Sequence, residues 1–91
     1  MKALFYIVLV SSLHISLSAF DQSPERFEGE CNLGMKVRCM LAAEGYIRRY
    51  ENSHIDAEKV QSKQLAKEMY QKACTLGVEK ACAKLKTIES L

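Results

Sequence analysis

Cys31-Asn-Leu-Gly-Met-Lys-Val-Arg-Cys39 and Cys74-Thr-Leu-Gly-Val-Glu-Lys-Ala-Cys82 are two renderings of one phrase. The pairs Cys31/Cys74, Leu33/Leu76, Gly34/Gly77 and Cys39/Cys82 share one offset of 43 residues. The aromatic residue four positions ahead of the first cysteine recurs at the same offset, as Phe27 and Tyr70. Self-similarity at a fixed period of this size marks a helical repeat. All four cysteines of the chain lie inside the phrase, so its conformation decides the fold.

Working outward, the segment Glu25–Leu33 reads as a short helix that starts at Ser23-Pro24. Gly34 stands where such a helix would end in a left-handed cap. Apolar residues at 40, 43, 47 and 50 follow helical spacing and predict a second helix from about Met35 to Tyr50. Asn52 to Gln61 contains the turn formers Asn52, Ser53 and Asp56 and reads as a connection. A third helix is expected from about Ser62 as its N-cap, with Asp56 capping a longer version as the alternative. Its apolar face comprises Leu65, Ala66, Met69, Tyr70 and Ala73, and Gly77 ends it. Val78, Ala81, Cys82, Leu85 and Ile88 form the stripe of a fourth helix. No stretch alternates long enough to predict a strand. The expected fold is all-α, with helix–turn–helix units at about 24–51 and 62–91.

The spacing of the cysteines tests this picture. On an unbroken helix, residues eight apart are separated by about 12 Å along the axis, whereas a disulfide needs Cα atoms within about 7 Å. Reversal of the chain at Gly34 would set Cys31 and Cys39 against each other across a hairpin, and Gly77 would do the same for Cys74 and Cys82. This local pairing is favoured. Each bridge would close a short loop, worth about 2.5 kcal/mol on the chain-entropy account. The nested alternative, 31–82 with 39–74, stays open: it puts each phrase on one continuous helix, at about 1 kcal/mol for the internal glycine.

Residues 1–19 read as a secretory signal peptide: Lys2, an apolar run from Leu4 to Val10, then small and apolar residues to Ala19. The run is shorter than the ~20 residues a membrane-spanning helix needs, so an uncleaved anchor is the weaker reading. Residues 20–91 would then be one small domain with a core that is marginal without a staple. Export to the periplasm or the exterior places four cysteines in an oxidising compartment, where two disulfides are expected. The chain carries 13 Lys+Arg against 11 Asp+Glu. That balance supports neither nucleic-acid binding nor a polybasic membrane patch, and no stable membrane insertion is expected after cleavage.

The segment Met69-Tyr-Gln-Lys-Ala-Cys-Thr-Leu-Gly-Val-Glu-Lys-Ala-Cys82 resembles the core of the Sel-like repeat, a relative of the tetratricopeptide repeat. It is most similar to the branch found in the Helicobacter cysteine-rich protein family. The resemblance rests on Tyr70, Ala73, Cys74, Leu76, Gly77, Ala81 and Cys82, and in the first unit on Phe27, Cys31, Leu33, Gly34 and Cys39. It implies an α-α superhelix with one disulfide per repeat. The 43-residue offset is longer than usual for such repeats, and the linker 52–61 has no glycine. A longer helix or a different connection is therefore expected there.

Enzymatic chemistry finds little support. His54 is the only histidine beyond the leader, in a polar connection. One imidazole without free thiolates cannot build a zinc site, and no C-x-x-C pair is present. No metal, cofactor or catalytic residue is assigned. The resemblance carries a penicillin-binding or weak β-lactamase reading, but the chain lacks the Ser-x-x-Lys of serine β-lactamases. The leading expectation is a stapled helical module that binds a protein or peptide partner, since helix-pair repeats present extended surfaces. Tyr46, Arg48, Arg49 and Tyr50 are the candidate contact surface, because Tyr and Arg are enriched at binding hot spots; the competing reading has Tyr46 and Tyr50 covering the small core and the arginines solvated.

Overall fold

Ser23 precedes the first helix, and its carbonyl accepts the amides of Arg26 and Phe27. Pro24 follows as the first helical residue, where its missing N–H costs nothing. The computed structural model describes residues 23–91, and within them the chain forms four α-helices. These are α1 (Pro24–Asn32), α2 (Lys36–Asn52), α3 (Asp56–Thr75) and α4 (Glu79–Ile88). No strand occurs among the described residues. The signal-peptide reading of residues 1–19, His14 included, lies outside them.

Both phrases reverse at their glycines. Gly34 and Gly77 have φ of 92° and 98°, in the left-handed region that residues with a Cβ avoid. Gly34 donates its amide to the Cys31 carbonyl at 2.9 Å and Met35 donates to Glu30 at 3.4 Å. The second turn repeats both bonds, Gly77 to Cys74 and Val78 to Ala73, each at 3.0 Å. This is the paired pattern of the Schellman cap. The first cysteine of each phrase thus sits in the last turn of one helix and the second in the opening turns of the next.

The disulfides are local, Cys31–Cys39 and Cys74–Cys82, with Cα separations of 4.5 and 4.8 Å. The nested pairing is excluded. Each unit is a helical hairpin closed by one staple, and no cysteine of the described residues is free.

The hairpins are held in antiparallel register by polar ties that step outward from the staple. In the first, Tyr46 donates its hydroxyl to Glu28 at 2.5 Å, and Arg49 grips Glu25 through both guanidinium nitrogens. In the second, Lys67 pairs with Glu89 at 2.6 Å and Lys63 donates to the Leu91 carbonyl at 2.9 Å. Between hairpins, α2 packs lengthwise on α3. The core they share is built largely from alanines: Ala42, Ala43, Ala66, Ala73 and Ala81 are fully buried, with Tyr46, Met69, Tyr70 and Ile88 as the large members. Gly45 allows α1 to lie close against α2. A Cβ there would fall 2.9 Å from Cβ of Pro24.

Two expectations are corrected. The segment 52–61 is not a ten-residue connection, and Ser62 is no N-cap. Only residues 53–55 connect α2 to α3, and Ser62 lies inside α3 with 2% of its surface exposed. The chain turns at Ser53, whose hydroxyl oxygen accepts the Ile55 amide at 3.2 Å. Asp56 and Glu58 then fill the first turn of α3, where carboxylates suit the helix dipole. The longer helix was the stated alternative, although Asp56 is its first helical residue and Ile55 takes the cap position.

Two predictions follow from the packing. Gly29 is helical with open space around its Cα, so Gly29→Ala should stabilise by about 0.5–1 kcal/mol. Gly45→Ala gains the same propensity but must push Pro24 aside, and a net loss of about 1 kcal/mol is expected. Thermal melts of the oxidised protein should move in opposite directions. Secondly, Cys31 and Cys39 are 3% and 0% exposed, while Cys74 and Cys82 are half-buried. Because thiolate attack needs access to a sulfur, limiting reductant followed by alkylation should label 74 and 82 first; equal labelling of all four would contradict this.

Candidate functional site

The α1 side of α3 carries a groove of about 820 Å³. One wall comes from α1 through Glu25, Glu28, Gly29 and Asn32, spaced to share a helix face. The facing wall is Ala57, Glu58, Gln61, Ser62 and Leu65 of α3, with Ile55 at the lip. Tyr46 and Arg49 of α2 form the floor. Asn32, at one end of the wall, accepts the Nζ of Lys72 on its Oδ1 at 2.5 Å.

Its charged lining is mostly acidic. Three carboxylates, Glu25, Glu28 and Glu58, face one guanidinium, that of Arg49. The Arg49 guanidinium bonded to Glu25 holds that carboxyl below its usual range, and Glu25 in turn raises Arg49. Glu58 adds to the negative field felt by Arg49 and has no side-chain bond of its own among the described residues. Burial, with the adjacent Glu28 carboxylate, pushes the Tyr46 phenol far above its ordinary value. Glu25 and Arg49 hold each other, as do Glu28 and Tyr46, and Glu58 stands outside these bonds.

The four residues read as a contact surface from the sequence separate in the structure. Tyr46 is a core residue, 1% exposed, and reaches the groove only through its hydroxyl. Arg49 is committed to Glu25 and lies 5.5 Å from the Tyr46 ring centroid. Tyr50 is half-buried beneath Lys59, whose Nζ sits 4.6 Å from its ring and donates to its carbonyl. Arg48 alone is exposed. The quartet does not form one exposed patch, because α1 covers one side of α2 and α3 the other, and the burial of Tyr46 follows the competing core reading. Glu25, Glu28 and Glu58 were not singled out, although a signal was present: the i, i+3 pair Glu25/Glu28 matches the i, i+3 pair Tyr46/Arg49 in an antiparallel hairpin.

Among the described residues, no group of three or more His, Cys, Asp or Glu side chains could hold a metal ion, and His54 is exposed on the short connection. No helix among them is long and apolar enough to cross a membrane. No protein-family model matches the chain, and no curated protein or solved structure matches it either.

The tyrosines supply a test of the floor. Burial also raises Tyr70, beneath Glu44 and Arg48 of α2. Raised phenol values mean that the protonated forms favour the fold: their contribution is complete below the ordinary value near 10 and is lost as pH climbs toward the folded values. In an alkaline titration followed by phenolate absorbance and circular dichroism, Tyr46 and Tyr70 should ionise only as helicity is lost; their ionisation while the helices persist would rule out the buried floor.

Proposed function

We propose that the protein is an exported, disulfide-stapled helical-repeat module that binds a peptide or an extended segment of a partner protein in the groove between α1 and α3. The observation that carries this reading is the groove itself, with walls on two different repeat units and a floor fixed by Tyr46 and Arg49. A rigid, pre-set groove lowers the ordering cost of binding a flexible chain. Two disulfides agree with an oxidising compartment. The resemblance to cysteine-rich Sel-like repeats points the same way, since helix-pair repeats commonly present such surfaces.

The excess of carboxylates favours a ligand with Lys or Arg beside an apolar residue, the cation meeting Glu28 and Glu58 and the apolar group resting on Leu65 and Ile55. A peptide library displayed on phage and selected on the oxidised protein tests this. Enrichment of basic sequences that no longer bind the Glu28→Lys, Glu58→Lys double variant is the expected result. No enrichment at all, or equal capture by that variant, would end the proposal. Breaking the staples with Cys→Ser changes at 31, 39, 74 and 82 should weaken capture by at least about tenfold, each 1.4 kcal/mol of lost preorganisation being one decade.

A further inference from the structure

Leu33 and Leu76 hold the same place in the repeat, and neither is buried: they are 81% and 43% exposed. Met35 and Val37, at 45% and 64%, extend the same edge. In a Schellman cap the apolar contact is made by the residue after the glycine, so the leucine before it has no packing task. The two turns stand side by side. Asn32 and Gly34 from one, with Lys72, Thr75 and Leu76 from the other, line a shared hollow of about 350 Å³.

Cations are interleaved with these apolar groups. Lys36 lies between Met35 and Val37, and Lys72 and Lys80 flank Leu76; all three are exposed. Arg38 is tied to Glu30 at 3.1 Å. With Glu30 and Glu79 counted, this edge holds two positive charges in excess, opposite in sign to the groove. Both helices that start here, α2 and α4, have apolar N-cap residues, Met35 and Val78, and no side-chain cap. The C-terminal ends of α1 and α3 lie at the same turns and offset these N-termini, so the positive field of the edge rests on its side chains.

We propose that this stapled edge seats the protein reversibly on an anionic phospholipid surface. Leu33 and Val37 enter the acyl boundary, and Lys36, Lys72 and Lys80 meet headgroup phosphates. Apolar groups combined with nearby cations are what interfacial binding to anionic lipid requires. Surface adsorption of this kind is separate from insertion of a spanning helix. A protein partner fits the edge less well: a stable interface takes about 20–30 residues a side, and two short turns offer only a few. The inference does not depend on the groove's having a ligand.

Co-sedimentation of the oxidised protein with phosphatidylglycerol and with phosphatidylcholine vesicles tests it. Binding is expected to the first and not to the second, and should fall as salt is raised. Lys36→Glu and Lys80→Glu should each weaken binding by about fivefold or more, and Leu33→Ser with Val37→Ser should abolish it. These side chains are exposed, so circular dichroism should confirm that the variants fold. Failure to sediment with phosphatidylglycerol, or binding unchanged in the double serine variant, overturns the proposal. So does lipid-free self-association that the double variant removes, because the edge would then pair copies of the chain.

Discussion

A left-handed glycine between two cysteines sets everything else in this molecule. At Gly34 and Gly77 the backbone adopts φ near +95°, a region that costs an ordinary residue about 1–2 kcal/mol and glycine almost nothing. The turn and the staple are also coupled through a single residue. The carbonyl of Cys31 accepts the capping amide of Gly34 while its sulfur bridges to Cys39, and Cys74 repeats the arrangement with Gly77 and Cys82. A residue that could not reach the left-handed region would withdraw the cap and pull the sulfurs apart together.

The composition of the core explains why covalent closure matters so much here. Alanine loses little rotamer entropy on burial but also contributes little apolar area. Ala42, Ala43, Ala66, Ala73 and Ala81 let the helices approach closely, and the same small side chains leave the assembly short of hydrophobic stabilisation. The outer helices suffer most. α1 packs chiefly on α2, and α4 on α3, whereas the middle helices bury two faces each. Staples placed at the two outer joints therefore reinforce the places where burial is least. The polar ties do a different task, fixing register, and they differ between units. Acids on α1 meet Tyr46 and Arg49 on α2, whereas bases on α3 meet Glu89 and the Leu91 carbonyl near the end of the chain. With opposite charge on corresponding helices, the identical staples do not make the two hairpins interchangeable.

Much of the architecture was legible because a short repeat carries redundant signals. The glycine and the cysteine spacing pointed to reversal within each phrase, the recurring aromatic marked the repeat, and helical periodicity recovered Leu65, Ala66, Met69, Tyr70 and Ala73 on the packed face of α3. The start of α3 was harder to read. Ser62 has the chemistry of a cap, but a small side chain suits the tight contact between helices equally well, and Ser53 had already closed the turn nine residues earlier. The partners of Tyr46 and Arg49 were hidden for a related reason. Periodicity at 40, 43, 47 and 50 shows one buried face of α2, and nothing in a single helix reveals that a second partner claims the face bearing Cys39, Ala42, Gly45 and Tyr46. Only the register imposed by Cys31–Cys39 brings Glu28 opposite Tyr46 and Glu25 opposite Arg49. The acidic groove was invisible for the same reason, since its two walls lie in different units.

The staple also changes what the turns are free to display. In a domain held together by apolar collapse alone, a leucine at a helix end would be drawn into the core, and exposing it would cost roughly 1.5–3 kcal/mol of lost burial. Here the conformation of each turn is fixed by glycine geometry, two capping hydrogen bonds and a disulfide, none of which uses the leucine. Leu33 and Leu76 can thus stay at the surface without loosening the hairpin behind them, next to lysines that keep the edge hydrated. The opposite bias holds in the groove, where Glu25, Glu28 and Glu58 outnumber Arg49 and Ile55 and Leu65 are the large apolar members. Stapled turns and polar register ties together leave a positive, apolar edge and a negative groove on a domain of four helices, each surface rigid for a reason independent of the other.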